Sequence, residues 1–290
     1  MTNSICPICS SDLRSHLAEW VYLCSGCGFR RSTLSVDTDG ITGGAASIDE
    51  DTRHHALDAL RKENFEVLLR TLGQHVTPGA RLLEVGSAHG WFLRAALDRG
   101  YEAYGIEPDN GVVARVPPEL AARTTPGFFP ADLPDQKRFD VIVFNDVFEH
   151  LPDVHAVLRA CRDRLTDGGT LVLNLPYASG VFYRTAEALA RLGKFGPLER
   201  LWQRRFPSPH LSYFDPKTLR RLCAIHGFAE LEQRDLRTLR VRGLWSRLSY
   251  DQTLPRSVAM LTWAATAAVR PLLSVLPADV GVQFFRLEQR

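Results

Sequence analysis

A predicted buried strand that runs through a turn of small residues into a helix constrains this chain more than any other feature. Residues 82–90 read Leu-Leu-Glu-Val-Gly-Ser-Ala-His-Gly, and a helical pattern follows to residue 99. Small residues let a ligand approach the backbone of such a turn closely. About 20 residues further on, Glu107 ends the next predicted strand, where a carboxylate accepts hydrogen bonds from both hydroxyls of a ribose. The pattern predicts a site for a nucleoside cofactor.

The rest of the chain continues this alternation of strands and helices. Apolar runs predict strands over residues 139–144 and 170–175, with a helix over 154–165 between them. A further helix is predicted over 215–226, and residues 228–232 and 280–287 are predicted to form the closing strands. Strands that alternate with helices indicate βαβ units. We therefore predict an α/β fold with a Rossmann-like, doubly wound sheet.

The regions that do not follow this alternation of strands and helices indicate the domain organisation. Residues 1–34 form a small cysteine-bearing module, and residues 35–53, rich in Gly, Ser, Asp and Thr, read as a linker. The large domain is predicted over 54–290, with insertions at 177–209 and 237–277. Both insertions carry basic residues, and aromatic residues are interleaved with them in the first.

Four cysteines in the N-terminal module have the spacing of a metal site. Cys6 and Cys9 form one C-x-x-C pair, and Cys24 and Cys27 form a second. Two such pairs supply four thiolate ligands in a tetrahedron, which predicts a closed, structural Zn²⁺ site without a role in chemistry. The alternative is a set of unrelated thiols.

Composition excludes several classes of protein. The 290 residues carry 35 Lys and Arg against 33 Asp and Glu, a formal net charge of +2. This balance argues against DNA as a partner and makes RNA a poor candidate. The N-terminus lacks a signal-peptide pattern, and the apolar run 258–276 is interrupted at Arg270 and Pro271, so its unbroken part is shorter than the ~20 residues of a spanning helix. We expect a cytoplasmic protein, with 258–276 as a lid, a contact to a membrane surface or a subunit contact.

Three motifs occur in order and at a familiar spacing: Glu84-Val85-Gly86-x-Ala88-x-Gly90, then Gly105-Ile106-Glu107-Pro108, then residues 139–151 (FDVIVFNDVFEHL). In this the chain resembles the class I S-adenosylmethionine-dependent methyltransferases over roughly residues 54–235 and the last strand. Within the class it resembles the ubiquinone-biosynthesis O-methyltransferases, and it resembles more closely their relatives encoded in bacterial polysaccharide gene clusters. Many of the latter carry an N-terminal pair of cysteine knuckles. The resemblance implies a seven-stranded sheet with an antiparallel last strand.

The resemblance also implies residues that hold S-adenosylmethionine. Glu107 would bind the ribose, and Glu84 would hold the amino end of the methionine. Asp132 is a weak candidate for the adenine amine, because the usual acidic position is aromatic here, as Phe128 or Phe129. The full set of expected cofactor residues is Glu84, Gly86, Ser87, Ala88, Gly90, Glu107, Asp132, Asn145 and Asp146.

Two histidines are candidates for the catalytic base: His210 first, as a base or a ligand of the acceptor, and His150 in reserve. His210 lies in a polar loop, and His150 follows Glu149 directly after the strand 139–144. In ubiquinone-type enzymes the matching acidic cluster holds a divalent cation, which here would be bound by Asp146, Glu149 and His150. The alternatives are that Glu149-His150 caps its loop and that His210 only braces its own.

Arg204 and Arg205, in the first insertion, are candidates to bind an anionic acceptor, because guanidinium matches phosphate geometry. We therefore expect methylation, preferably of oxygen, of a small molecule, a glycan or a lipid-linked acceptor. Two alternatives stay open: an rRNA methyltransferase, since one such group also combines a four-cysteine knuckle with this fold, and a noncatalytic scaffold that retains the fold.

Overall fold

The computed structural model describes residues 5–38, 50–238 and 276–288, together with Met260. The strands are β1 (Leu13–His16), β2 (Ala18–Cys24), β3 (Arg30–Ser32), β4 (Arg81–Val85), β5 (Glu102–Glu107), β6 (Thr124–Pro126), β7 (Phe139–Asn145), β8 (Leu165–Pro176), β9 (Ser212–Tyr213), β10 (Phe228–Leu236) and β11 (Val280–Leu287). The helices are α1 (Glu50–Leu72), α2 (Trp91–Asp98), α3 (Asn110–Val113), α4 (Pro118–Ala121), α5 (Val154–Arg164), α6 (Val181–Arg191), α7 (Gly196–Leu201) and α8 (Pro216–Ile225), with a 3₁₀ turn at Phe148–His150.

The main sheet has seven strands in the order β10-β11-β8-β7-β4-β5-β6. β4 pairs in parallel with β5 on one side and β7 on the other, and β7 pairs in parallel with β8. β11 runs antiparallel to both of its neighbours, β8 and β10. The predicted α/β sheet with an antiparallel last strand is confirmed. The short strand β6 had no prediction, because three residues give too little periodicity to detect.

Both faces of the sheet are covered, which explains why the central strands are almost entirely apolar. On one face Leu83 and Ile142 share a core with Leu158 of α5 and Leu222 of α8. On the other face Leu82, Val141 and Val143 pack against α1 and α2 through Leu68, Leu69 and Phe92. Helices on both sides leave the ends of the strands as the open part of the sheet.

The N-terminal module builds a second sheet together with the large domain. The strand order is β1-β2-β3-β9, and β9 belongs to the segment that follows the first insertion. Phe29 of the module lies 5.1 Å from Phe214 between ring centroids. The module therefore shares a sheet and a core with the remainder of the chain.

Parts of the predicted organisation lie outside the described residues. These are most of the linker (39–49), nearly all of the insertion 237–277 and almost the whole apolar run 258–276. In the part of the chain that the structure describes, no helix is long and apolar enough to cross a membrane.

Candidate cofactor and acceptor site

One cavity of about 670 Å³ opens at the carboxyl ends of β4, β5 and β7. The strand order reverses at β4, and this switch point is where ligands bind in open α/β sheets. The cavity also reaches two histidines, His150 and His210, and two residues that follow the N-terminal module, Val36 and Thr38. It therefore joins the predicted cofactor residues to the predicted base candidates.

The turn between β4 and α2 requires its glycines. Gly86 has φ +72°, and a Cβ there would lie 2.5 Å from Cγ2 of Val147. Gly90, which precedes α2, has φ +76°, and Ala88 adopts φ +44° between them. Ser87 is buried, and among the described residues its Oγ has no hydrogen-bond partner. Gly86, Ser87 and Ala88 lie on the cavity wall, and the backbone N–H groups of Gly86 and Ser87 donate to the carbonyl of Ile106.

Glu107, at the end of β5, locks the turn from the neighbouring strand. Its Oε2 accepts a hydrogen bond of 2.9 Å from the backbone N–H of Ala88, and its Oε1 accepts one of 3.0 Å from that of Asp109. Burial raises the pKa of the Glu107 carboxyl, and these two N–H donors oppose that shift. The side chain lines the cavity, at the position expected for ribose binding.

Glu84 heads a chain of amides at the base of the cavity. Nδ2 of Asn145 donates to Glu84 Oε1 at 3.0 Å, and Nδ2 of Asn174 donates to Asn145 Oδ1 at 3.2 Å. Burial raises the pKa of Glu84 to about 8. Within the described residues, Oε2 of Glu84 has no hydrogen-bond partner. A cationic ligand group would satisfy this oxygen and restore the charged carboxylate.

Asp146 and Asp132 differ in placement. Asp146 lies on the cavity wall, directly after β7 and with φ +54°. Asp132 is not among the lining residues, and its Oδ2 instead accepts a hydrogen bond of 2.7 Å from the backbone N–H of Phe128. Phe128 and Phe129 do line the cavity. Asp132 therefore stabilises the loop that places Phe128 and Phe129 on the cavity wall.

A buried cluster of Glu149, His150 and His210 forms the opposite end of the cavity. One ligand atom from each residue lies within 4.8 Å of the others. The two imidazole rings lie 4.6 Å apart at an angle of 77°. Burial raises the pKa of Glu149 well above its usual value, and the charge of Asp146 adds to this. The cation set expected from sequence included Asp146, whereas the structure groups Glu149 and His150 with His210.

Hydrogen bonds distinguish the two rings. Because the carbonyl of Pro209 can only accept, Nδ1 of His150 donates to it at 3.0 Å, and Nε2 keeps its lone pair. Nε2 of His210 lies 2.9 Å from the Gln203 amide nitrogen, which donates to it and leaves the proton on Nδ1. Burial lowers the pKa of His150 to about 4, and burial together with His150 lowers the pKa of His210 well below its usual value. Both rings are therefore neutral at pH 7.

Arg204 and Arg205 lie outside the cavity wall. Arg204 forms an ion pair with Glu199 and lies 5.3 Å above the ring of Trp20, while the Arg205 side chain is 89% exposed. Among the described lining residues, Arg61 of α1 is the one arginine or lysine, and its guanidinium lies over the ring of Trp91. Sequence reasoning missed Arg61 because its role depends on how α1 docks. The carboxylates on the wall are Glu84, Glu107, Asp109, Asp146 and Glu149.

Comparisons with known proteins agree with this geometry. The family described as Methyltransferase domain matches residues 53–233. The ubiquinone biosynthesis O-methyltransferase of Xanthomonas campestris pv. campestris is 32% identical over 126 residues, which are 40% of this chain and 52% of that protein. The chain thus spans about half the length of the curated relatives it matches.

Solved structures show the same fold at low identity. Phosphoethanolamine N-methyltransferase 2 from Haemonchus contortus, solved with S-adenosyl-L-methionine, superposes with a TM-score of 0.54 at 16% identity, over 90% of this chain and 62% of that one. A SAM-dependent methyltransferase from Archaeoglobus fulgidus gives a TM-score of 0.50 at 15% identity, over 79% of this chain and 97% of that one.

The seven-stranded sheet with its antiparallel edge and its cavity at the switch point defines the class I methyltransferase fold. Since the family match covers more than half of its residues, the chain belongs to the methyltransferase-domain family. The resemblance to S-adenosylmethionine-dependent methyltransferases found in the sequence is confirmed.

The glycine turn generates a first prediction. Gly86→Ala should cost more stability than Gly79→Ala, because both positions have positive φ but the described residues leave open space only at Gly79. We expect an additional loss of about 1–3 kcal/mol from the contact with Val147. Urea unfolding followed by circular dichroism measures both variants, and equal losses would contradict the steric role of Gly86.

Glu84 generates a prediction on pH. Folding raises its pKa from 4.5 to about 8, so between these values the folded state holds a proton that the unfolded state has released. Stability from this group is therefore present below pH 4.5 and is lost as pH rises through 8. Relative to Glu84→Gln, the wild type should lose up to about 1.4 kcal/mol per pH unit from pH 5.5 to 7.5.

Urea unfolding at four pH values, in the absence of ligand, measures this difference. The control is Glu119→Gln, which changes an exposed carboxylate paired with Arg94 and should keep the wild-type pH dependence. A difference between wild type and Glu84→Gln that is constant with pH would show that the carboxyl is ionised throughout the range.

Proposed function

We propose that the protein is an S-adenosylmethionine-dependent methyltransferase that methylates a hydroxyl oxygen of a small-molecule or glycan acceptor. One observation carries the proposal: a carboxylate-lined wall at Glu84 and Glu107 and a pair of neutral histidines, the buried His210 and the partly buried His150, share the same cavity. The first half suits a cationic nucleoside, and the second half suits removal of a proton from a hydroxyl.

The proposed cofactor residues can be grouped by the charge of the part of S-adenosylmethionine that each would contact. Glu107 would accept hydrogen bonds from the ribose hydroxyls, and Glu84 would neutralise the ammonium of the methionine part. Arg61 is the cation available for the carboxylate of that part. Phe128 and Phe129 supply aromatic surface for the adenine. When bound, S-adenosylmethionine supplies a methyl group on a sulfonium, which is already a good leaving group.

This chain's own contribution to the reaction is orientation and a base. S-adenosylmethionine held by Glu84 and Glu107 would supply its methyl group to the acceptor oxygen, and the electron pair of the broken carbon–sulfur bond would stay on sulfur. The hydroxyl proton goes to Nε2 of His150, whose other nitrogen is held by the Pro209 carbonyl. His210 offers Nδ1–H as a donor that orients the acceptor oxygen. Glu149 lies beside the pair, with its Oε1 3.9 Å from Nε2 of His210.

The same cluster fits a divalent cation as a second candidate. Glu149, His150 and His210 provide one carboxylate oxygen and two imidazole nitrogens, a donor set that suits zinc or a similar metal. A cation bound by these residues would lower the pKa of the acceptor hydroxyl.

Two observations weigh on the other candidates. Four polar atoms of the cavity region, on Glu84, Ser87, Glu149 and His210, are buried without a partner among the described residues, which a noncatalytic scaffold has no reason to keep. The wall offers one arginine against five carboxylates, which disfavours RNA and an acceptor with several phosphates.

A structural zinc ion at the cysteine module is part of the proposal. Sγ of Cys6 and Cys27 lie 3.6 Å apart and those of Cys9 and Cys24 3.3 Å, near the spacing of about 3.8 Å in a tetrahedral thiolate site. Backbone N–H groups of Ile8 and Cys27 point at the sulfurs of Cys6 and Cys24, each at 3.4 Å. The donor chemistry and the turns fit Zn²⁺.

Cofactor binding provides the first test. Glu107→Ala should weaken S-adenosylmethionine by about 1.5–3 kcal/mol, since charge-assisted hydrogen bonds to the ribose are lost. Titration calorimetry measures the affinity, and Glu102→Ala, an exposed change at the start of the same strand, is the control. Equal affinity of Glu107→Ala and wild type would mean that the nucleoside binds elsewhere.

Acceptor chemistry provides the second test. A mass-shift screen for a gain of 14 units on phenols, sugar nucleotides and lipid-linked sugars identifies an acceptor. With it, His150→Gln should lower kcat by a factor on the order of 10²–10⁴ with unchanged cofactor affinity. His210→Gln should have a smaller effect, on the order of tenfold, because it removes one hydrogen bond.

The matched control for both substitutions is His75→Gln, since His75 pairs with Glu232 and is not among the residues that line the cavity. Full activity of His150→Gln would remove this histidine as the base. A larger loss in His210→Gln than in His150→Gln would exchange the two roles.

A further inference from the structure

The segment 207–214, which carries His210, lies between the cysteine module and the end of β7. On the module side, β3 pairs antiparallel with β9, with Arg30 opposite Tyr213 and Arg31 opposite Ser212. The backbone N–H of Asp37 also donates to the carbonyl of Pro207 at 2.8 Å. The module thus pairs with one end of this segment, and Asp37, just after the module, contacts the other end.

Ser32 makes the contact that is closest to the histidine. Its backbone N–H donates to the carbonyl of Leu211 at 2.9 Å, and its hydroxyl donates to the carbonyl of His210 at 2.9 Å. The side chain is 5% exposed, so this hydroxyl bond is shielded from water. One residue of the module thus holds two consecutive backbone carbonyls, those of His210 and Leu211.

On its other side the same segment contacts the rest of the cluster. The backbone N–H of Leu211 donates to the carbonyl of Glu149 at 2.8 Å. The carbonyl of Pro209 accepts from Nδ1 of His150 and thereby sets the tautomer of that ring. A shift of the segment would displace the His210 ring. It would also break the hydrogen bond to the Pro209 carbonyl that keeps the proton of His150 on Nδ1.

The four cysteines in turn organise the strands that hold the segment. Cys24 ends β2, and its backbone N–H donates to the carbonyl of Phe29 at 2.8 Å, just before β3. Phe29 is 1% exposed and packs on Phe214. Three short strands bury too little apolar surface to be stable alone, so a link between Cys6, Cys9, Cys24 and Cys27 fixes where β3 lies.

We propose that the cysteine module is a positioning element of the active site: with zinc bound, it holds β3 so that Ser32 fixes the backbone of His210. This inference rests on the proposed function for the role of the histidines. Ser32 contacts neither cofactor nor acceptor and acts through the segment 207–214.

The test is amide hydrogen exchange of the full chain, followed by mass spectrometry, with metal content measured on the same samples. Wild type should contain about one zinc per chain, and its removal with a chelator should speed exchange in 209–214 at least tenfold, while residues 82–90 stay protected. Ser32→Ala should keep its zinc and speed exchange in 209–214 by about fivefold to tenfold, as expected for one lost hydrogen bond.

Two variants separate positioning from general loosening. Ser32→Thr keeps the hydroxyl and should restore wild-type exchange, whereas Ser15→Ala, an exposed serine of β1, should leave exchange unchanged. Unaltered exchange in 209–214 for both the chelated protein and Ser32→Ala would overturn the inference, as would wild type without zinc. Binding of S-adenosylhomocysteine, measured by calorimetry, should be the same in all variants. If wild type does not bind S-adenosylhomocysteine, the proposed function is wrong, whereas the inference about the module is unaffected.

Discussion

The position of β4, between β5 and β7, is the constraint on which the remaining structure depends. The backbone groups of β4 are used on both edges by parallel neighbours, so the chain leaves in opposite directions on either side of it. The loops after β4, β5 and β7 diverge and leave a crevice. Gly86 is needed at this point because Val147, in the loop after β7, closes on its Cα. The position of the cavity is therefore determined by the order of the strands.

Three carboxylates are buried around this crevice with few cations to balance them. Burial raises the pKa of Glu84, Glu107 and Glu149, which means that each would be more stable as the neutral acid or in water. A folded protein keeps such groups at a cost to its own stability. A ligand with an ammonium, a sulfonium and two ribose hydroxyls would offset that cost. The electrostatics of the site are thus complementary to a cationic ligand.

The parts that could be predicted from the sequence are those set by neighbours in the chain. The β4 strand, its glycine turn and Glu107 are read from local periodicity and from one fixed distance, and the structure brings them together. Arg61 and Gln203 line the cavity because distant elements dock there, and no local pattern marks them. Asp132 failed to join the site for a related reason: a backbone N–H four residues earlier captures its carboxylate. The pairing of β3 with β9 joins residues some 180 positions apart, beyond any periodic signal.

The two halves of the cavity rest on different supports. The proposed cofactor half is built on β4, β5 and β7, which are held in the sheet and its buried core. The proposed acceptor half combines Phe206, Gln203 and His210 from the region after α7 with Val36, which follows the N-terminal module. Changes in the module or in that region can therefore reshape the proposed acceptor half without disturbing the proposed cofactor half. His150 follows β7 of the main sheet, whereas His210 lies in the segment 207–214 that pairs with the N-terminal module. The contact between their rings therefore requires that both parts of the protein keep their positions relative to each other.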